Sequence, residues 1–398
     1  MVDFTDTAEE AAFRKEVQEF IEANSPRRDG EGAGFGFGGG GANADARKAF
    51  EAWRDALVER GWIAPHWPEE YGGAGLTVKE QFILNQELAE AGTGNVGGFG
   101  TMMLGPTLII HGTEEQKAEH LSAILKGEVN WCQGWSEPGA GSDLASLQTR
   151  AVRDGDDWVI NGQKIWTSGA QFADSMYMLA RTDPDAPKHR GISFFLLDMK
   201  APGVTVRPLE QMSGGRGFNE VFFEDVRVSQ TNMIGEENRG WYVGATLMDY
   251  ERSGIGNSVG TQRRLSRLLN TAKELPEEQS MLNRNNHVRL AFADRFTDAS
   301  VALLFSQRIM TMQAKSQVPN HEASAAKLFS SEMGQRIAAL NIKLFGLYGN
   351  LNDPDREEAQ KGAASRGYVQ AVSSTIAGGT SEIQRNVIAT RGLGLPRG

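Results

Sequence analysis

This sequence of 398 residues has one cysteine, no long apolar run and no excess of positive charge, and each of these absences argues against a class of protein. With Cys132 as the single cysteine, no disulfide can form within the chain, which favours a reducing cytoplasm. No apolar run approaches the roughly 20 residues that a membrane-spanning helix needs. The N-terminal residues show no basic segment followed by an apolar one, so no secretory signal is expected. The net charge of -10 argues against binding to nucleic acids or lipid surfaces, which requires a basic face.

The residues that are present are typical of a globular protein. Hydrophobic residues make up 40% of the chain and charged residues 23%, as is usual for globular proteins. A length of 398 residues is enough for two or three structural units around substantial cores. The six histidines show no metal-ligand spacing, so we expect no metal site. The acidic balance does not exclude a phosphorylated ligand, which needs only backbone amides at a helix start and one or two arginines.

The N-terminal part of the chain is predicted to be helical, because apolar residues recur there at intervals of three and four. In residues 8–24, for example, Phe13, Val17 and Ile21 lie on one helical face. Thr113 to Gln116 has the form of a capping box and should begin another helix. Further helices are predicted over residues 45–60 and 78–91.

A glycine-rich segment separates the first two of these helices. Residues 30–41 formally contain G-x-G-x-x-G, but a dinucleotide-binding fingerprint requires a strand before it, and here a helix precedes it. We therefore predict a flexible loop between helices.

The pattern changes near Val129 to short, β-rich segments bounded by turn pairs. Asp154-Gly155 and Asn161-Gly162 flank the apolar residues 158–160, which predicts hairpin structure there. This block ends near Ile234. Further strands are predicted over residues 176–180, 192–197, 204–206 and 221–228.

Long helical patterns return from Glu237 onwards. The predicted fold class is therefore α+β, mainly α, with a helical assembly interrupted by a β-domain. The predicted domains are residues 1–128, 129–234 and 235–398. The C-terminal helices are predicted over residues 237–273, 283–315, 322–347, 356–372 and 380–391.

Two segments of the β-rich block carry candidate binding residues. Trp131 to Asp143 joins a strand to a loop of small residues, which can place backbone donors against a planar ring or phosphate oxygens. From its residues alone, the same segment can equally be a tight turn. The second segment, residues 161–169, contains Trp166, which can equally be a core residue of a hairpin.

A third segment, residues 377–386, places two glycines before a helix start. Gly378 and Gly379 permit close approach of the backbone, and Thr380 or Ser381 can cap the helix that follows. The partial positive charge of such a helix end suits phosphate groups.

With these three segments the sequence resembles the acyl-CoA dehydrogenases, flavoenzymes that oxidise the Cα–Cβ bond of a coenzyme A thioester. Ser136 to Asp143 is similar to the highly specific first signature of that family, and the resemblance extends from Trp67 to the C-terminus. It implies an N-terminal helical domain, a middle β-barrel-like domain and a C-terminal four-helix bundle. It also implies FAD as cofactor and an electron-transferring flavoprotein as electron acceptor.

The resemblance implies which residues bind the cofactor. Gln133, Trp135 and Ser136 would lie along the isoalloxazine edge, and Trp166 would pack on the flavin. Ser142 would contact the flavin phosphates or the coenzyme A arm, which makes it a substrate-binding candidate as well. The remaining cofactor-binding candidates are Thr167, Ser168, Gly379, Thr380 and Glu382.

The sequence departs from the best-known family members at the catalytic base, because Gly378 stands where they carry a glutamate. The α-proton of a thioester is weakly acidic, so its removal needs a positioned carboxylate. Some relatives place this glutamate on the long helix after the β-domain, directly before an arginine, and Glu251-Arg252 matches that arrangement. An ordinary surface glutamate would give the same pattern. The backbone N–H of Gly378 would polarise the thioester carbonyl, and Asp249 and Arg252 are further substrate-binding candidates.

The resemblance leaves the substrate and the assembly open. The W-C-Q-G form of the first segment is similar to members that act on branched, aromatic or steroid side-chain thioesters, which favours a bulky acyl group. Residues 94–105, with Met102 and Met103, are either part of that pocket or core. A homotetramer or a heterotetramer is expected, since members are commonly dimers of dimers. A flavin oxidase of the same fold, and a non-catalytic subunit of a mixed oligomer, are the alternatives.

Overall fold

The computed structural model describes five stretches of the chain, and within them some residues by their backbone alone. The predicted loop of residues 30–41 lies outside the described residues. The described stretches are residues 6–26, 44–94, 96–252, 257–276 and 280–396, with the backbone alone described at residues 46, 249–252, 257 and 357–359.

The N-terminal helices begin where their capping residues predict. Thr7, Thr77 and Thr113 each accept a backbone N–H at a helix start, and the side chain three residues later bonds back to the threonine N–H. The capping box predicted at Thr113 is therefore confirmed. Among the described helices, none is long and apolar enough to cross a membrane. The helices are α1 (Ala8–Asn24), α2 (Ala44–Glu59), α3 (Val78–Ala91), α4 (Gly105–His111) and α5 (Glu114–Lys126).

Helix α4 and the π-helical turn before it, Gly100–Leu104, were not predicted from the sequence. They were not predicted because glycine is typical of turns and loops, whereas Gly105 serves here to allow close packing. A Cβ on Gly105 would lie 1.8 Å from Cζ2 of the fully buried Trp67, so only glycine lets this helix approach the indole.

The middle of the chain forms one eight-stranded sheet in the order β6-β7-β3-β2-β4-β5-β8, with β1 paired in parallel to β4. Its two faces pack in different cores. On β4, Met176 and Met178 lie in a core within the β-rich part, whereas Tyr177 and Leu179 pack with the N-terminal helices. The strands are β1 (Trp131–Gly134), β2 (Arg150–Asp154), β3 (Asp157–Ser168), β4 (Ser175–Arg181), β5 (Ile192–Asp198), β6 (Val204–Leu209), β7 (Phe218–Ser229) and β8 (Met233–Ile234).

The prediction of hairpin structure is right at Asp154-Gly155, where β2 turns into β3, and wrong at Asn161-Gly162. The latter pair lies inside β3, at a shift in its register with β7. Asn161 exchanges two 3.0 Å hydrogen bonds with Asp225, and a Cβ on Gly162 would lie 2.7 Å from Cα of Thr149. Asparagine and glycine therefore serve a β-bulge and a close contact here.

The C-terminal part is helical again, so the predicted fold class of α+β, mainly α, is confirmed. Its core joins α7, α9 and α10 through residues such as Leu265, Phe292 and Ile337. The pattern predicted to start at residue 356 begins as a 3-10 helix, Glu357–Gly362, and becomes an α-helix only at Ala363, because Gln360 and Lys361 adopt positive φ values of 50° and 51°. The helices are α6 (Gly240–Arg252), α7 (Asn257–Glu274), α8 (Met281–Arg284), α9 (Asn286–Gln313), α10 (His321–Leu344), α11 (Ala363–Ala371) and α12 (Ser381–Val387).

Candidate active site

The first and second candidate segments meet at the end of β1. The backbone N–H of Ile165 donates to the carbonyl of Ser136 at 2.9 Å, and Lys164 Nζ donates to the carbonyl of Trp135 at 3.1 Å. The adjacent Gln133 accepts a 3.3 Å hydrogen bond from the Tyr177 hydroxyl on the neighbouring strand. Residues 133–136 and 164–168 are therefore held side by side.

The loop that follows β1 is a tight turn with an exposed crest. Glu137 and Ala140 exchange backbone hydrogen bonds of 2.9 and 3.0 Å. Gly139, Gly141 and Ser142 are exposed, and a Cβ on either glycine would meet nothing within 4 Å. The two interpretations of this segment are thus compatible, since the turn itself leaves its small residues open to a ligand.

A buried ion pair lies beneath this loop. The side chain of Lys164 is fully buried, that of Glu137 is 7% exposed, and Nζ lies 2.8 Å from Oε1. Burial raises the pKa of Glu137, but the charge of Lys164 and the hydrogen bonds from Lys164, Gln148 and Thr149 outweigh it, so this pKa is lowered from 4.5. Burial lowers the pKa of Lys164, and the Glu137 carboxylate opposes that shift.

Trp166 projects from β3 in a strained backbone conformation. Its φ is 62°, rare for a bulky residue and worth about 1–3 kcal/mol of strain. The strain falls at a second bulge, where the register with β7 shifts between Lys164 and Thr167. The indole is 59% exposed and meets Phe218 edge-on at 6.2 Å. The alternative of Trp166 as a hairpin core residue is therefore wrong.

Buried polar atoms beside these segments fit a planar, hydrogen-bonding cofactor. Among the described residues, Trp135 Nε1, Thr167 Oγ1, Asn219 Oδ1 and Ser381 Oγ are buried without a hydrogen-bond partner. Such atoms are costly unless something else satisfies them. An isoalloxazine ring has both donors and acceptors along its edge, so Trp135 and Thr167 suit the group that the sequence resemblance implies.

The third segment precedes α12, which packs against α10. Gly378 and Gly379 have φ values of 64° and 86°, and Thr380 caps the helix by accepting the N–H of Ile383 at 3.2 Å. Hydrogen bonds from its own backbone and from Thr380 lower the pKa of Glu382, so its carboxylate stays charged. A cleft of about 690 Å³ runs beside this helix start. It is lined by residues including Glu332, Arg336, Tyr368, Thr380, Glu382 and Arg385.

Helix α6, which carries the candidate base, lies directly against the first segment. A Cβ on Gly244 would lie 2.5 Å from Cη2 of Trp135, so the indole rests on this helix. Position 251 is seven residues further on, almost two helical turns, and therefore on the same helix face. The side chains of Asp249, Glu251 and Arg252 lie outside the described residues.

The structure thus unites the first two segments and α6, whereas the hydrogen bonds described for the third segment connect it to α10. Lys327 on α10 donates to the carbonyl of Gly379 at 2.6 Å. Of the two methionines near the predicted pocket, Met103 is buried and Met102 is 45% exposed. The ion pair was missed, because nothing in the sequence alone indicates that the lysine inside β3 is buried.

The thiol of Cys132, beside the candidate site on β1, should be inert in the folded protein. Its side chain is fully buried and burial raises its pKa to about 12, so almost no reactive thiolate forms. We expect no labelling by a thiol reagent at mildly alkaline pH, and one label per chain after unfolding in guanidinium. Rapid labelling of the folded protein would contradict this placement of β1.

Three family models together cover most of the chain. The N-terminal domain of acyl-CoA dehydrogenase matches residues 7–128, the middle domain matches residues 132–226, and the C-terminal domain matches residues 238–393.

Individual proteins of this family are also similar to the chain in sequence and in structure. Acyl-CoA dehydrogenase IpdE1 of Mycobacterium tuberculosis is 38% identical over 88% of this chain and 90% of its own length. The solved structure titled "Tcur3481-Tcur3483 steroid ACAD" has a TM-score of 0.83 and 32% identity, with both chains fully covered. The ChsE4-ChsE5 complex from Mycobacterium tuberculosis has a TM-score of 0.80 and 31% identity, again over both whole chains.

Proposed function

Because this chain belongs to the acyl-CoA dehydrogenase family, we propose that it binds FAD and converts an acyl-CoA thioester to the trans-2-enoyl-CoA. When bound, the flavin supplies the acceptor for the hydride that leaves Cβ. One observation supports this proposal most directly. The exposed indole of Trp166 stands next to Thr167, whose buried hydroxyl has no partner among the described residues.

Glu251 is the proposed base that removes the α-proton. It lies on the face of α6 that contacts Trp135 through Gly244, so the helix passes the loop proposed to hold the flavin. Gly378 has no carboxylate, but its backbone N–H is the proposed donor to the thioester carbonyl, where negative charge develops. Asp249, Arg252 and Ser142 stay proposed substrate contacts.

The flavin is proposed to lie against the surface made by the first two segments, with the third contributing from the start of α12. Trp166 would cover the ring, while polar groups near β1 would meet its edge. The full proposed set is Gln133, Trp135, Ser136, Ser142, Trp166, Thr167, Ser168, Gly379, Thr380 and Glu382.

The proposed substrate carries a branched, aromatic or otherwise bulky acyl group. A relative titled as a steroid acyl-CoA dehydrogenase matches the whole chain at 32% identity, which supports a bulky group over a long straight chain. Electrons are proposed to pass to an electron-transferring flavoprotein in the cytoplasm.

A role as one subunit of a mixed oligomer is the second candidate. It is favoured by Gly378, which replaces the usual glutamate, and by two similar structures whose titles each name two proteins. A homotetramer is the alternative assembly. The mass of the protein purified alone, and its flavin content, would distinguish the two.

The proposed function is tested by product analysis. We would load the purified protein with FAD and supply steroid side-chain, aromatic, branched and straight-chain acyl-CoAs with an artificial electron acceptor. The expected product of a bulky thioester is lighter by two hydrogens, with little oxygen consumed. Straight-chain preference would contradict the substrate proposal, and rapid oxygen uptake without the acceptor would indicate an oxidase. No dehydrogenation by FAD-loaded protein would refute the activity.

A further inference from the structure

The buried pair of Lys164 and Glu137 holds the residues on both sides of Ser136. Lys164 Nζ donates to the carbonyl of Trp135 at 3.1 Å and to Glu137 Oε1 at 2.8 Å. The carbonyl of Ser136 itself accepts the N–H of Ile165 at 2.9 Å. Three successive residues of the loop are therefore fixed by two adjacent residues of β3.

The carboxylate of Glu137 extends this connection to the chain that enters β2. Its Oε2 accepts the backbone N–H of Gln148 at 2.6 Å, and its Oε1 accepts that of Thr149 at 3.0 Å. The same residue makes the tight turn with Ala140. One side chain thus links the turn, the start of β2 and Lys164, with both carboxylate oxygens in use.

Stability alone does not account for such a pair. Removing two charges from water is costly, and a buried pair can often be replaced by uncharged side chains without loss of stability. An ion pair at the other end of β1 shows the ordinary arrangement. There Lys200 lies 3.0 Å from Asp174, with side chains 77% and 37% exposed. Of these two ion pairs, the buried one is the pair that contacts the loop following β1.

We propose that Glu137 and Lys164 are positioning residues that hold Trp135 and Ser136 in the orientation needed to bind the flavin. The inference rests on the proposed function, since it requires a flavin against residues 133–136. Neither side chain needs to touch the cofactor, because the contacts described above engage Lys164 Nζ and both oxygens of Glu137. Their effect is transmitted through the carbonyl of Trp135 and the backbone of the turn.

Lys164→Met provides the first test, since methionine has a similar length and no donor. The carbonyl of Trp135 then loses its partner, and the charge of Glu137 stays buried without compensation. We expect the dissociation constant for FAD to rise by at least about tenfold. We also expect the visible spectrum and midpoint potential of any bound FAD to shift towards those of free FAD.

The double variant Glu137→Gln with Lys164→Met separates positioning from folding. It leaves no unpaired buried charge, so its melting temperature should recover part of the loss seen in either single variant. Its affinity for FAD should stay at least about tenfold weaker, because the carbonyl of Trp135 still lacks a donor. Lys200→Met is the matched control, and it should bind FAD as the unaltered protein does.

The outcomes separate the inference from the proposed function. Unaltered protein that takes up no FAD, either alone or in the mixed oligomer of the second candidate, would refute the proposed function and the inference with it. The inference alone would be overturned if the unaltered protein binds FAD and the double variant binds it equally well. The visible spectrum and midpoint potential of the bound FAD would then be the same in both proteins. If Lys164→Met does not fold, the dissociation constant for FAD is measured by titration of the double variant and of Glu137→Gln. Weaker binding than in the unaltered protein would then support the inference.

Discussion

Replacement of Glu251 by glutamine is expected to slow reduction of the bound flavin by acyl-CoA about 10²–10⁴-fold, the usual contribution of a general base. Glutamine keeps the size of the side chain but cannot accept the α-proton. Gly378 offers no carboxylate as a substitute. Binding of FAD should not change, because the proposed role of Glu251 is towards the substrate. Stopped-flow absorbance after anaerobic mixing with the preferred thioester measures the rate.

Glu237→Gln is the matched control for this experiment. Glu237 precedes α6 by three residues, forms a 3.0 Å ion pair with Arg153 and is 42% exposed. Its replacement should change the rate of flavin reduction less than about twofold, because exposed pairs contribute little. Equal rates for Glu251→Gln and the unaltered protein would exclude Glu251 as the base. Similar losses in both variants would indicate a general effect on α6.

Replacement of Gly240 by alanine should be strongly destabilising. A Cβ at this first residue of α6 would lie 2.3 Å from the backbone N of Phe194 and 2.3 Å from the backbone C of Ser193, on β5. Backbone atoms in a sheet cannot move aside cheaply, so α6 must shift. We expect the free energy of unfolding to fall by about 1–3 kcal/mol, as for other overpacked sites. Denaturant titration measures the change.

The same substitution at Gly334 provides the comparison. In the interior of α10, a Cβ there would meet Ser374 Oγ at an ordinary 3.9 Å. Alanine should therefore stabilise the protein by up to about 1 kcal/mol through its higher helix propensity. Because α6 also carries Glu251, Gly240→Ala should slow flavin reduction as well. Unchanged stability of Gly240→Ala would show that α6 does not approach β5 this closely.

Features decided by local hydrogen bonding could be predicted from the sequence. The capping box at Thr113 begins α5, and the hairpin at Asp154-Gly155 joins β2 to β3. These follow from residues that are neighbours in the chain. The N-terminal helices also follow the apolar periodicity, because they bury one face. Strands β4 and β5 read instead as apolar runs, because they are buried on both faces.

Features decided by distant contacts could not be predicted. Asn161-Gly162 has the composition of a turn, yet Asp225 and Thr149 from other strands make it a bulge. Gly105 permits α4 only because Trp67 lies against it. The exposure of Trp166 depends on a register shift between β3 and β7. Each outcome depends on pairing that the local pattern does not encode.

For the candidate site, the resemblance to acyl-CoA dehydrogenases identified the candidate residues, and the structure shows the contacts that hold them in place. The motif residues 133–136 and 166–168 were selected from the sequence, and the contact between their two segments is a finding of the structure. The assignments of FAD contacts and of Glu251 stay predictions. The domain limits at residues 128 and 234 are also predictions.

Anaerobic addition of a steroid side-chain acyl-CoA to the FAD-loaded protein tests the central proposal most directly. The visible absorption of the oxidised flavin should bleach in one turnover in the unaltered protein, and hardly at all in Glu251→Gln at the same FAD content. A flavin that stays oxidised in the unaltered protein with every thioester tried would contradict the proposed dehydrogenation.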